Sequence, residues 1–146
     1  MSLQQWLENS WVVKVTPSAQ VVKDHLAIAD RELDDAAAVR SADGNFGHAY
    51  DAVRALCEAA INAAGYEVPK GGRQHERLIE SLRYTLGAAC PEDVDYLDRC
   101  RRQRHKVKYE RTGVVSRGDA DQLLDAAKCL RSAVQTWLES NHPNLI

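Results

Sequence analysis

Apolar residues recur every three to four positions in five stretches of the chain, the spacing of amphipathic helices. The first stretch puts Val22, Leu26, Ala29, Leu33 and Ala36 on one face, with Asp30, Glu32, Asp34 and Asp35 mostly off it. Thr16 ahead of Pro17 is a suitable N-cap with proline at the first helical position, so a helix is expected from about residue 17. Residues 41–45, Ser-Ala-Asp-Gly-Asn, read as a loop. A second helix is expected over about 46–64. Phe46, Ala49, Tyr50, Val53, Cys57, Ala60, Ile61 and Ala64 form its apolar face, and Asp51, Arg54, Glu58 and Asn62 the opposite one. Gly65 suits the left-handed residue that ends a helix, and Pro69 with Gly71 and Gly72 marks a linker.

A third helix is expected over about 73–86, with His75, Leu78, Ile79, Leu82 and Leu86 as its stripe and Gly87 as its end. The fourth starts at Pro91, where Glu92 and Asp93 suit the positive end of the helix dipole. It reaches about residue 109 or 110, before a break at Thr112-Gly113. The fifth begins near Ser116, whose Ser-x-x-Asp spacing to Asp119 resembles a capping box. Its face is Leu123, Ala127, Leu130, Val134, Trp137 and Leu138, and it ends by Asn141, ahead of Pro143.

Short connections between such helices favour antiparallel neighbours. The pattern therefore predicts an all-α fold, an antiparallel up-and-down bundle of four to five helices over 17–146, preceded by an N-terminal arm or short helix over 1–16. In that arm Trp6 and Trp11, with Val12, Val13 and Val15, are expected to pack on the bundle; an exposed Trp pair is the alternative and would mark a partner surface. A length of 146 residues fits one domain with a sizeable core.

A net charge of −2 points to neither nucleic acid nor membrane, but the charge is unevenly spread. Residues 1–70 carry six Lys/Arg against ten Asp/Glu, and residues 71–146 carry thirteen against eleven. Seven basic residues and one acid, Glu110, fall between Arg99 and Arg111. The four cysteines, Cys57, Cys90, Cys100 and Cys129, form no C-x-x-C pair and have no histidine at zinc-like spacing. They read as reduced thiols of a cytoplasmic protein. No signal-peptide pattern opens the chain, and no apolar run has the length of a membrane span.

The fourth helix is the chemically unusual one. Val94, Leu97 and Cys100 point one way, while Asp98, Arg102, His105 and Tyr109 form a stripe roughly opposite, facing solvent or a second subunit. Arg101 lies beside that stripe and can approach His105 four residues on. Histidine moves protons near neutral pH, and arginine grips a phosphate with two parallel hydrogen bonds. The RNA 2′-hydroxyl can itself serve as nucleophile, so the set suits metal-independent cleavage of RNA. A solvated basic helix face that happens to include a histidine is the plain alternative.

His75, on the apolar stripe of the third helix, reads as a core or helix-start histidine, and His48, beside Phe46 and Tyr50, as a packing residue. There is no Ser/His/Asp or Cys/His pattern and no glycine-rich phosphate loop. The di-metal site of helical bundles takes Glu-x-x-His from each of two helices; the chain has that spacing only once, Glu139 to His142, so neither a metal nor a cofactor is expected.

Three stretches resemble the HEPN family (higher eukaryote and prokaryote nucleotide-binding). They are His48 to Ala60 followed by Gly65, Gly72 to His75, and Leu97 to Tyr109 followed by a long amphipathic helix; the likeness spans about 17–141. It implies a four- to five-helix bundle that often dimerises. In active members of the family a polar motif, Arg, four to six residues, then His, faces the dimer cleft and cleaves RNA without metal. Arg99, five residues, then His105 satisfies that form. A stricter form, Arg-Asn, three residues, His, one residue, Tyr, anchored on Tyr109, aligns Arg102-Gln103 with Arg-Asn and Val107 with His.

The resemblance thus implies His105 as the proton-transfer residue, Arg102 or Arg99 at the scissile phosphate and Tyr109 assisting. Arg101, Arg104, Lys106 and Lys108 would bind RNA. It also implies a homodimer and, if the protein is a toxin or defence component, a nucleotidyltransferase-type antitoxin as partner. A non-catalytic HEPN module that binds RNA, a nucleotide or a protein, and a plain helical adaptor, stay open beside it.

Overall fold

The computed structural model describes residues 1–109 and 113–146. Among these residues the chain forms six α-helices, two short 3-10 turns and one two-stranded ribbon, so the expected all-α bundle is what is observed. The helices are α1 (Leu3–Glu8), α2 (Ala19–Ala38), α3 (Ala42–Ala63), α4 (Gln74–Ser81), α5 (Val94–Tyr109) and α6 (Arg117–Asn141). Strands β1 (Val13–Lys14) and β2 (Tyr66–Glu67) pair antiparallel, Val13 opposite Glu67. No helix among the described residues is long and apolar enough to cross a membrane.

The centre is α3, which packs mainly against α2 and α6 and buries 14 of its 22 residues. Seven of those are Ala or Gly, and small side chains let neighbouring helices approach closely. Phe46, Leu56 and Ile61 from α3 meet Val22 and Leu26 of α2 and Leu123, Leu130 and Leu138 of α6 in one core. Cys57 and Cys100 are buried free thiols within it. Arg131 of α6 clasps Asp30 of α2 with two hydrogen bonds, 2.8 and 3.3 Å.

Helix ends differ from the expected ones for local reasons. The N-cap of α2 is Ser18, whose hydroxyl accepts from the Val21 amide at 3.2 Å; Thr16-Pro17 belongs to the extended chain leaving β1. There the Val15 amide donates to the Gly65 carbonyl, a pairing between distant segments. Residues 41–45 are not a loop. Ser41 caps α3, and Asn45, 5% exposed, donates to the carbonyls of Ala36 and Val39 and accepts from Arg117. These bonds close the α2–α3 connection to three residues.

Helix α4 stops at Ser81, short of the expected end near residue 86. Beyond it the amides of Leu82, Arg83 and Tyr84 donate three residues back, a tighter winding than an α-helix, and Gly87 turns the chain at φ +55°. Helix α5 starts at Val94 rather than Pro91, with the Asp93 carboxylate accepting from the Asp95 amide. Two expectations hold closely. Gly65 follows α3 at φ +92°, and Ser116 and Asp119 form a reciprocal capping box at the start of α6. The expected break at Thr112, with Glu110 and Arg111 before it, lies outside the described residues.

The N-terminal segment packs on the bundle. Trp6 is 3% exposed and meets Trp11 and Tyr84 edge-on at 5.9 and 5.4 Å, while Arg77 lies over the Trp11 ring at 5.0 Å.

Candidate functional site

One cleft of about 390 Å³ gathers the titratable side chains of three helices. Its first wall is α5. Arg101, Arg104, His105, Lys108 and Tyr109 lie within a turn or two of one another along that helix, and all five line the cleft. The His105 and Tyr109 rings, four residues apart, sit 4.8 Å centre to centre. The opposite wall is Tyr50, Asp51 and Arg54 of α3, and the rim is the Gly71-Gly72 linker with His75 and Glu76 at the start of α4.

Four cationic side chains, Arg54, Arg101, Arg104 and Lys108, thus face two carboxylates, Asp51 and Glu76. Asp51 offsets part of that charge, lying 3.7 Å from Arg104. Arg101 is held from outside the lining by Asp98, Nε to Oδ1 at 2.8 Å. The remaining positive surplus, in a concave space, focuses the field toward an anion.

Arg104 reaches this position because α3 has Gly47 beneath it. A β-carbon there would stand 3.1 Å from Arg104 Nε and 3.3 Å from its Cζ, too close for the guanidinium to lie as it does. Val107, at the histidine position of the stricter motif, is half-buried against the core, on a smaller recess with Gly47 and His48. The histidine that enters the cleft from α5 is therefore His105, and the arginine of α5 that shares it one turn earlier is Arg101.

The other residues expected at the site stand elsewhere. Arg99 is exposed and lies over the Tyr96 ring at 5.8 Å. Arg102 leans toward Asp98 at 3.6 Å, and Lys106 is exposed; none of the three lines the cleft. Gln103 ties α5 to α6, donating to the Val114 carbonyl and to the Asp119 carboxylate.

Of the two readings expected for His75, the helix-start one holds and the core one does not: it is the second residue of α4 and is exposed on the cleft rim, while Leu78 and Ile79 of the same helix are buried. Arg54 Nη1 donates to His75 Nε2 at 3.0 Å; guanidinium only donates, so the ring nitrogen accepts and the proton sits on Nδ1. Partial burial, then the Arg54 charge, lowers the His75 pKa. The α3 wall escaped sequence reasoning too. Its only trace there is that Asp51 and Arg54 follow Tyr50 by one and four positions, at the border of the apolar face.

One set of side chains among the described residues has the spacing of metal ligands: Glu32, Asp35 and His48, with ligand atoms all within 4.8 Å. Glu32 is already engaged, accepting from His48 Nδ1 at 2.7 Å and from Arg31 at 3.1 Å. Burial pushes its carboxyl up, yet these two hydrogen bonds outweigh it and hold the pKa below the usual value. The set is accounted for by the His48–Glu32 hydrogen bond joining α2 to α3, which gives His48, expected only to pack, a polar partner.

No family model, curated protein or solved structure matches the chain in the comparisons made with each.

Proposed function

We propose that this protein is a HEPN-like RNA-associated protein that seats the backbone of single-stranded RNA along the α5 wall of the cleft, with His105 as the proton-transfer group for metal-independent cleavage. The observation that carries this reading is the convergence of Arg101, Arg104, His105 and Lys108 with Arg54 and His75 in one concave space. Phosphates are drawn to such a surplus of guanidinium and ammonium groups. In cleavage the 2′-hydroxyl attacks the adjacent phosphorus, its proton leaves to a base, and the 5′-oxygen departs with a proton. The products are a 2′,3′-cyclic phosphate and a 5′-hydroxyl, and no metal or redox partner enters the balance. His105 stands beside both arginines of that wall and suits one of the two transfers.

The same reading makes the protein a homodimer with α5 near the interface, and a nucleotidyltransferase-type antitoxin its partner in a toxin or defence pair. A second reading, a HEPN module that binds RNA without cutting it, is favoured by Val107, whose side chain leaves the stricter motif without its histidine.

Incubating RNA with the purified protein in EDTA separates them. Cleavage that His105→Ala reduces by about 10²–10⁴-fold supports the ribonuclease. RNA that is bound but left intact, equally by parent and His105→Ala, selects the non-catalytic module. RNA neither bound nor cut ends both.

A further inference from the structure

The inner end of the cleft holds a hydroxyl with no acceptor. Tyr50 is 2% exposed and lines the cleft, and its Oη has no hydrogen-bond partner among the described residues. Burial pushes the phenol pKa up, so it stays a neutral donor, while Arg54 and Arg101 are near enough to pull its ionisation the other way. Among the described residues the Arg54 guanidinium makes its hydrogen bond to the uncharged His75 ring and has no carboxylate within 4.0 Å, although its charge favours the ionised form of Glu58 one turn on. A buried donor and an arginine without an anionic acceptor therefore share one end of a positively charged cleft. Both deficits are met by one group bearing several anionic oxygens.

We infer that this end of the cleft seats a single phosphate group, with the Tyr50 hydroxyl and the Arg54 guanidinium donating to its oxygens and Arg101 adding charge. The seat deepens the RNA reading and rests on it, assigning one phosphate to residues outside the α5 motif. Arg54 turns from His75 to the phosphate, which frees His75 Nε2. The groups facing His75 are Tyr50, Asp51 and Arg54 of α3, Glu76 of its own helix, and Arg101 and Lys108 of α5. Phosphate adds negative charge among them, so His75 takes up a proton on binding.

The phosphate has two possible sources, an RNA 5′ end or an internal phosphodiester, and titration calorimetry on the whole chain distinguishes them. Inorganic phosphate is the first probe. It should bind, and Tyr50→Phe, which keeps the ring, should weaken it about tenfold. Arg54→Gln should weaken it at least as much, and melting curves show whether each variant is folded. Proton uptake, read from the binding heat in two buffers of different ionisation enthalpy, should fall in His75→Gln. Tighter binding of 5′-phosphorylated than of 5′-hydroxyl RNA assigns the seat to the terminal phosphate; equal binding assigns it to the internal diester. If inorganic phosphate gives no heat at millimolar concentration, or binds Tyr50→Phe and Arg54→Gln as it binds the parent, the seat is wrong. RNA that still binds, and is weakened only by Arg104 and Lys108 substitutions, then leaves the RNA reading standing. Phosphate that binds as described while RNA does not overturns that reading and keeps the seat.

Discussion

Arg54 of α3 donates from Nη1 to Nε2 of His75 at the start of α4, 3.0 Å away, across a cleft whose far wall is α5. The contact joins residues 21 apart in sequence and keeps the imidazole neutral. Burial comes first and the Arg54 charge second in lowering the His75 pKa. In NMR titration the His75 ring should therefore protonate below the 6.5 of an unperturbed histidine, and Arg54→Gln should move it part of the way back. The sign for stability follows. As pH falls through 6.5 the unfolded chain binds a proton that folded His75 refuses, so stability declines until the folded value is passed. In His75→Gln that share of the decline should vanish.

Gly47 sets the place of Arg104. Alanine is the better helix former by roughly 0.5–1 kcal/mol, so Gly47→Ala should not lower the melting temperature if the guanidinium swings aside. The same β-carbon, 3.1 Å from Arg104 Nε, makes that guanidinium give way by a few tenths of an ångström, so RNA affinity should fall modestly. Unchanged affinity in a stable Gly47→Ala protein would take Arg104 out of the binding surface.

Asn45 closes the α2–α3 turn from inside the protein. Its replacement by alanine strands the Ala36 and Val39 carbonyls and removes one acceptor of Arg117, whose guanidinium still donates to the Arg40 carbonyl. Denaturant unfolding should show a loss of about 1–3 kcal/mol, the usual cost of buried polar groups left unpaired.

The capping box of α6 also anchors α5, because the Asp119 carboxylate accepts from the Ser116 amide and from Gln103. The Ser116 amide first, then Gln103, holds the Asp119 pKa below its usual value. The stability it adds is present at neutral pH and is lost as pH falls through the lowered pKa. Asp119→Ala should be less stable than the parent at pH 7, and the two should converge in acid. A gap that persists there would assign the effect to packing.

Helices were legible wherever local chemistry decides them. Gly65 and the Ser116–Asp119 pair carry their geometry in their own residue types, and the repeating apolar positions gave α2, α3 and α6 their buried faces. The start of α2 was not legible, because Ser18 and Thr16 are equally good caps and the choice depends on the Val15–Gly65 pairing made through the fold. Of the stripe expected on the third helix, Leu78, Ile79, Leu82 and Leu86 are buried and His75 is exposed; periodicity puts His75 on the apolar side but does not tell whether anything covers the first turn. On α5 the spacing put His105 and Tyr109 on one stripe with Arg101 beside it, but it put Asp98 and Arg102 on that stripe too and did not single out Arg104 or Lys108, which line the cleft. Which cations of that helix face the cleft, and that Tyr50 and Arg54 form the other wall, depend on how α3, α4 and α5 pack. Arg99, Arg102 and Lys106 look the same as their neighbours in sequence and differ only in direction.

That difference in direction gives the most direct measurement. Fluorescence anisotropy of a labelled single-stranded RNA, followed against salt in EDTA, should be compared for two triple variants with the same charge change. Arg101→Ala with Arg104→Ala and Lys108→Ala removes cleft cations; Arg99→Ala with Arg102→Ala and Lys106→Ala removes outward ones. Each phosphate contact on a single strand contributes about 0.7 to the slope of log K against log salt, so the cleft triple should lower that slope by about 2 and weaken binding sharply. The outward triple should change it little. Equal losses from both triples, or none from the cleft triple, would contradict RNA binding in the cleft.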